Sequence, residues 1–274
     1  MDEFTRTNYE RWDELVDVNA RSPFYNLEKF KKGGLFLDKL EYEGVGNVKD
    51  KSLLHLMCHF GMGTLSFARM GAQATGIDFS PKAIELAQSL AKELNLSVRF
   101  ICSDVYDLPQ NLDGAFDVVF TSYGVLYFLS DLERWAKVVS RFLKPGGFFF
   151  MVDGHPFSQV YDLGGPPSDS ELRISYPYFS SGPVRCDESG SYADSDARME
   201  HKVFYKWLHP VSTIINSLIS AGLTIENFNE YPFAAAPMHS NLVRKDDGYW
   251  YLPDDRMDIP FMFSLRATKK IPMG

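Results

Sequence analysis

Cysteine is scarce in this 274-residue chain: Cys58, Cys102 and Cys186 are the only three. They are too few and too scattered for a disulfide framework, while the length is enough to bury a real core as one α/β domain or as a domain with an insertion. Positive charge is also short. A formal net charge of −8 and a pI near 5.3 argue against a nucleic-acid partner, which needs a basic face. The start Met1-Asp2-Glu3 lacks the basic and apolar regions of a signal peptide, and no apolar run approaches membrane-spanning length. The expectation is a soluble, cytoplasmic protein. Internal repeats and low-complexity tracts are absent as well.

What the chain does have is concentrated between residues 53 and 81. Leu53 to Met57 is a short, mostly apolar run after Lys49-Asp50-Lys51, as expected of a strand covered on both faces. Gly61 and Gly63 allow a tight turn and a close backbone approach to a ligand. Leu65, Phe67, Ala68 and Met70 supply the apolar residues of a helix, and Gly71 is placed to end it. Gln73 to Ile77 reads as a second strand, with Asp78 at its carboxyl end, the edge where ligands bind in open α/β sheets. A carboxylate is acceptor-only and can take both hydroxyls of a ribose. Ser80-Pro81 then opens another helix, serine as N-cap and proline at the first helical position. Together these features read as a nucleoside-binding unit.

The alternation continues. Ala83, Ile84, Ala87, Leu90, Ala91 and Leu94 recur at helical spacing from Pro81 to about Asn95. Val98, Phe100 and Cys102 alternate as in a strand, and Phe116 to Phe120 is a nearly continuous apolar one. A helix from about Asp131 to Phe142 is broken by Lys144-Pro145-Gly146-Gly147, which feeds a strand over Phe148 to Val152. Such a βαβαβ series predicts a mainly parallel sheet. From His155 to about Tyr205 prolines, glycines, serines and aromatics replace the pattern, too long for an ordinary connection and more in keeping with a lid or extra hairpin. Pro210 opens a further helix, Thr224 to Phe228 is a strand, and Phe261 to Ala267 is a closing strand of period two.

Gly76-Ile77-Asp78-Phe79-Ser80, Ser103-Asp104-Val105-Tyr106-Asp107-Leu108-Pro109, Phe116-Asp117-Val118-Val119 and Leu143-Lys144-Pro145-Gly146-Gly147 closely resemble the class I S-adenosylmethionine-dependent methyltransferases. The resemblance runs motif by motif from about Lys51 to Asp153 and implies an α/β fold, a doubly wound, Rossmann-like sheet of seven strands, mainly parallel with the last antiparallel. It further implies a single domain, with residues 1–45 as a helical cover, 51–153 as the cofactor-binding core, 155–208 as an inserted lid and 209–274 completing the sheet. By the same resemblance Asp78 would bind the ribose of S-adenosyl-L-methionine, Phe79 would pack on the adenine, Asp104 would accept its amino group beside the Val105 backbone, and Ser122 and Tyr123 would line the methionine part.

The glycine turn departs from the family pattern. An acidic residue and three alternating glycines are usual, whereas here His55 holds the acidic position, Met57 and His59 the first two glycine positions, and only Gly61 the third. The turn is similar to that of a bacterial subset with His-Leu-x-Cys-His-Phe-Gly. His55, Cys58 and His59 could in principle ligate a metal, but zinc spacings need a second Cys or His pair that the sequence lacks. His55 is expected to be a buried, hydrogen-bonded strand residue. Met57, Cys58, His59 and Gly61 are expected to meet the cofactor, Cys58 and His59 through their backbone.

Tyr25, Tyr127 and His155 are expected on the substrate side. His155 suits a general base by its near-neutral pKa, or is simply a loop histidine before Pro156. Tyr9, Trp12, Leu15 and Val16 mark an N-terminal helix that could cover the cofactor or serve plain packing, and Tyr176-Pro177-Tyr178-Phe179 and Tyr205-Lys206-Trp207 could form a pocket or strand core. After the fourth strand, Thr121-Ser122-Tyr123-Gly124 lacks the Asn/Asp-Pro-Pro-aromatic or Pro-Cys signature of base methylation, which favours a small-molecule acceptor. Two alternatives stay open: a non-catalytic protein on a degenerate methyltransferase fold, and an NAD-dependent oxidoreductase, which would share the turn and Asp78 but not need the Asp104 motif.

Overall fold

The computed structural model describes residues 2–161, 173–238, 242–253 and 258–271. Residues 162–172 of the expected lid, and 239–241, 254–257 and 272–274 of the expected C-terminal part, lie outside the described residues. Three helices come first: α1 (Glu3–Arg21), α2 (Leu27–Lys31) and α3 (Lys39–Val45). The alternating core follows as β1 (Ser52–Leu56), α4 (Met62–Arg69), β2 (Gln73–Asp78), α5 (Pro81–Glu93), β3 (Arg99–Cys102), α6 (Leu108–Asn111), β4 (Phe116–Ser122), α7 (Leu132–Phe142) and β5 (Leu143–Gly154). Then come a hairpin, β6 (Val184–Asp187) and β7 (Val203–Lys206), and α8 (Val211–Ser220) with β8 (Leu223–Tyr231). Last are the short β9 (Phe233–Ala234), β10 (Val243–Arg244) and β11 (Trp250–Tyr251), and β12 (Met262–Lys269).

Seven strands form one sheet in the order β3-β2-β1-β4-β5-β12-β8. The first five are parallel neighbours, and β12 pairs antiparallel with both β5 and β8. The doubly wound α/β expectation is met, with the closing strand as the reversed one. Side chains along a strand alternate between faces. Leu54 and Leu56 of β1, Val119 of β4 and Met151 of β5 therefore pack under Trp135 of α7 and Leu218 of α8. Leu53, Val118, Phe120 and Phe150 face the other layer with Phe67 of α4. With helices on both faces, the parallel strands are apolar runs rather than alternating ones.

The local signals act as their chemistry requires. Ser80 Oγ accepts the Ala83 N–H with Pro81 at the first helical position, and Asp131 caps α7 through Arg134 N. The Lys144-Pro145-Gly146-Gly147 turn lies inside β5 rather than before it, as an irregularity where the pairing with β4 shifts between Phe116 and Val118. A Cβ on Gly147 would come within 3.0 Å of the Phe116, Asp117 and Lys144 carbonyl oxygens, so only glycine fits there. Both β8 and β12 run a few residues beyond the segments that periodicity marks, because the pairing between them continues to Tyr231 and Lys269.

The β6–β7 hairpin is fastened to α1. The buried Arg11 guanidinium donates to the carbonyls of Glu188, Gly190, His201 and Lys202 at 2.8–3.3 Å and lies 4.8 Å over the Phe204 ring. Asn8 bonds the Tyr205 backbone twice, and Glu14 accepts from the Glu200 and His201 amides. No helix among the described residues is long and apolar enough to cross a membrane.

Candidate functional site

The carboxyl ends of β1 and β2 carry a turn whose backbone is left-handed at every second residue: Met57 (φ 56°), His59 (φ 52°) and Gly61 (φ 79°). A non-glycine residue in this region costs about 1–2 kcal/mol, so the turn keeps the conformation of an alternating-glycine loop with two side chains added. Cys58 N donates to Ile77 O at 2.8 Å and Gly61 N to Cys58 O at 3.0 Å, which pins the turn onto β2. The third position admits no side chain, since a Cβ on Gly61 would stand 2.6 Å from the Phe100 ring.

Asp78 ends β2 beneath this turn. Its Oδ2 accepts the His59 N–H at 2.8 Å and its Oδ1 the Ser80 N–H at 3.0 Å. The residue is buried, and burial pushes the carboxyl up to about 6, with the backbone hydrogen bonds pulling the other way. A carboxylate offers about four lone-pair sites in all, so acceptor capacity remains for a diol. On the neighbouring strand end, Asp104 Oδ1 takes the Tyr106 N–H at 2.8 Å, and its other oxygen has no hydrogen bond among the described residues. Burial raises this carboxyl too. Ser103 N bonds Asp78 O at 2.9 Å, which holds the two acidic positions in one rim.

A wall of aromatic rings covers the turn. Tyr9 of α1 meets Phe79 edge-on at 5.6 Å, and Trp12 meets His59 at 5.5 Å and Phe128 at 5.3 Å. Asn19 links α1 to both sides. It accepts from Ser191 Oγ at 2.6 Å, its Nδ2 stands 3.1 Å from His59 Nε2, and Nδ2 donates to the Tyr192 hydroxyl at 3.1 Å. Tyr192 and Tyr25 are hydroxyl to hydroxyl, and Tyr25 stacks on Phe36. In this surrounding His59 is driven down to about 3 by burial and is neutral.

Ser122 ends β4 and Tyr123 follows it. Tyr123 is left-handed (φ 47°) and its N–H bonds Val152 O at 2.9 Å. The next loop is clamped by Asp153, fully buried at the end of β5, whose oxygens accept the amides of Gly124, Val125 and Leu126 at 2.6–3.1 Å. Tyr127, on this loop, packs its hydroxyl close to Gly154 and Asp153. His55 is buried with Nδ1 bonded to Thr64 Oγ1 at 2.9 Å, and burial drives it down to about 3.

His155 follows β5 directly, and its N–H bonds Phe261 O at 2.8 Å. Its Nδ1 accepts the Phe157 N–H at 3.0 Å, so the neutral ring carries its proton on Nε2, which stands 2.9 Å from Glu230 Oε1 without hydrogen-bond alignment. The ring packs edge-on against Phe263. Tyr178 and Trp207, from the two aromatic stretches, line a small cavity with Tyr127 and His209, its solvent-accessible space about 10 Å³. Sequence reasoning missed Asn19, Tyr192 and Asp153, whose hydrogen-bond partners lie far away in the chain.

The fold is shared with solved proteins. The fold is similar to that of an S-adenosylmethionine-dependent methyltransferase from Mesorhizobium loti (TM-score 0.57, 21% identity, covering 82% of this chain and 93% of that one). It is also similar to a geranyl diphosphate C-methyltransferase from Streptomyces coelicolor (TM-score 0.51, 16% identity, 83% of this chain and 76% of that one). In sequence, residues 54–151 match the family described as methyltransferase domain. A ubiquinone biosynthesis O-methyltransferase from Chromobacterium violaceum is 31% identical over 163 residues, 60% of this chain and 66% of that protein. For the same enzyme from Coxiella burnetii the match is 28%, over 43% of this chain and 50% of that protein, so the chain spans less than two thirds of either relative.

Proposed function

We propose that this protein is an S-adenosylmethionine-dependent methyltransferase that transfers a methyl group to a small-molecule acceptor by in-line displacement. The observation that carries the reading is Asp78, a buried carboxylate at the end of β2 with acceptor positions to spare, set under a left-handed turn and beside Asp104. Asp78 holds the ribose hydroxyls, Asp104 and the Val105 backbone the adenine, and Phe79 packs on the base. Met57, Cys58, His59 and Gly61 present the turn, while Ser122 and Tyr123 meet the amino-acid end.

The cofactor supplies an electrophilic methyl group. The chain's own work is to hold a nucleophile in line and to keep water out. The aromatic wall of Trp12, Phe128 and Tyr192 performs the second task, and with Tyr25 and Tyr127 it forms the acceptor side. His155 has the part of a strut rather than a base, because its acceptor nitrogen is already taken by Phe157. A small acceptor fits the acidic charge and the cover that α1 and the hairpin place over the turn. The relatives are named for different reactions, O-methylation in ubiquinone biosynthesis and C-methylation of geranyl diphosphate, so no single acceptor atom is carried over. A division into N-terminal cover (1–45), core (51–153), inserted lid (155–208) and sheet completion (209–274) fits these roles. Free thiols at Cys58, Cys102 and Cys186 suit a cytoplasmic setting.

Isothermal titration with S-adenosylmethionine and with its product S-adenosylhomocysteine tests the reading. Micromolar binding of both is the expected result. Binding of neither would leave the degenerate-fold reading in its place, and binding of NAD alone would make the chain an oxidoreductase.

A further inference from the structure

Asn19, fully buried on α1, stands at the centre of a chain of side chains whose hydrogen-bond directions are fixed. Ser191 Oγ accepts the Ala193 N–H at 3.0 Å, so its own proton is left to donate, and Asn19 Oδ1 takes it at 2.6 Å. That length suits O–H···O and is short of the N–H···O range, which orients the amide with its oxygen toward Ser191. The amide nitrogen then has two protons for two partners, His59 Nε2 and the Tyr192 hydroxyl, both at 3.1 Å. An amide NH2 only donates. His59 Nε2 is therefore the acceptor, and because the ring is neutral its one proton sits on Nδ1.

This donor is unused within the protein. Among the described residues the His59 hydrogen bonds engage Nε2, the backbone N–H and the carbonyl, and none engages Nδ1. Nδ1 is the ring nitrogen nearer its own backbone, whose N–H bonds Asp78 Oδ2 at 2.8 Å, and it faces away from Nε2 and so from Asn19. Part of the residue remains accessible. Histidine also holds a left-handed position (φ 52°) where glycine would sit without strain, and such strain clusters at ligand sites. The tautomer matters chemically. A ribose whose two hydroxyl protons go to Asp78 has only lone pairs left to offer elsewhere, so its next neighbour must donate. The Nδ1–H form of His59 does so, whereas the Nε2–H form would set lone pair against lone pair.

We propose that Asn19 is a positioning residue for cofactor binding, holding His59 as the Nδ1–H tautomer so that the ring donates to a ribose oxygen at Asp78. This rests on the methyltransferase reading and gives a side chain of the N-terminal cover a part in it.

The test combines nitrogen NMR of histidine-labelled protein with calorimetric titration of S-adenosylhomocysteine, both at pH 8, on wild type, Asn19→Asp, His59→Gly and the double variant. Glycine at position 59 removes the ring and relieves the left-handed backbone, so the turn survives, and the signal lost in that variant assigns His59. Aspartate keeps an acceptor for Ser191 but calls for the His59 proton on Nε2. Wild type should show a protonated Nδ1 and a bare Nε2, and Asn19→Asp the reverse. His59→Gly and Asn19→Asp should each weaken S-adenosylhomocysteine by about three- to tenfold, the worth of one neutral hydrogen bond. In the His59→Gly background Asn19→Asp should add nothing, whereas a merely structural asparagine would matter equally in both backgrounds. A wild-type His59 protonated on Nε2, a tautomer unmoved by Asn19→Asp, unchanged affinity in either single variant, or an Asn19→Asp loss that persists without the ring overturns the proposal. Each of these leaves the methyltransferase reading standing. A wild type that binds no S-adenosylhomocysteine removes that reading itself, and the proposal with it.

Discussion

Cofactor affinity should fall about tenfold between pH 7 and pH 5 because of one carboxyl group. Asp78 is pushed up from 3.8 to about 6 by burial, and a ribose diol needs the ionised form as acceptor. A group titrating near 6 is about nine-tenths ionised at pH 7 and about one-tenth at pH 5, and apparent affinity scales with that competent fraction. A carboxyl at its ordinary 3.8 would lose almost nothing over the same range. The assay is titration calorimetry with S-adenosylhomocysteine at half-unit steps, with Asp104→Asn as control for the other raised carboxyl on the rim. A flat dissociation constant from pH 7 to pH 5 would refute the assignment of Asp78 to the ribose or its burial. The cofactor-free protein has a matching signature. Since the folded value lies above the unfolded one, this group's stabilising contribution is full below about 3.8 and is lost as pH rises through about 6. The loss amounts to about 3 kcal/mol at most, and Asp78→Asn should remove that pH dependence from urea melts.

Further expectations follow from other contacts. Arg11→Met should lower stability by about 3–5 kcal/mol in urea unfolding, because four backbone carbonyls lose a buried donor together; a loss under about 1 kcal/mol would show that water replaces the guanidinium. Gly61→Ala should cost about 2 kcal/mol or more from the left-handed backbone and the clash with Phe100, and it should abolish cofactor binding by calorimetry. Cys102 is exposed, pairs in register with Asp78 and bonds the Phe79 carbonyl at 3.5 Å. S-adenosylhomocysteine should slow its alkylation by iodoacetamide, read by peptide mass; an unchanged rate would move the adenine elsewhere.

The sheet was legible because its strands are runs of large apolar residues between glycine, proline and charge, and the rim was legible because Asp78 and Asp104 follow such runs directly. Ser80-Pro81 likewise carries its own capping chemistry. Nothing in the letters Met57 and His59 announces a left-handed backbone, which the fixed spacing between β1 and α4 imposes on residues that do not favour it. The aromatic wall was half visible: Tyr9 and Trp12 sit at helical spacing, but Tyr192 reaches Trp12 only because Asn19 and Arg11 bond a hairpin more than 170 residues away in sequence. The Asp38–Tyr123 bond spans 85 residues and leaves no local trace. The small sheet of β9, β10 and β11 escaped notice because pairs of two residues are shorter than any period.

The place of β12 in the sheet bears on how the chain is made. It is the last strand of this sequence, yet it lies between β5 and β8 rather than at an edge. While the chain emerges from a ribosome, β8 has no neighbour to pair with, and the open side of β5 stays bare until β12 arrives. The five parallel strands, with the rim that ends them, can assemble first, and a nascent chain caught before residue 262 would expose two unpaired strand edges to aggregation.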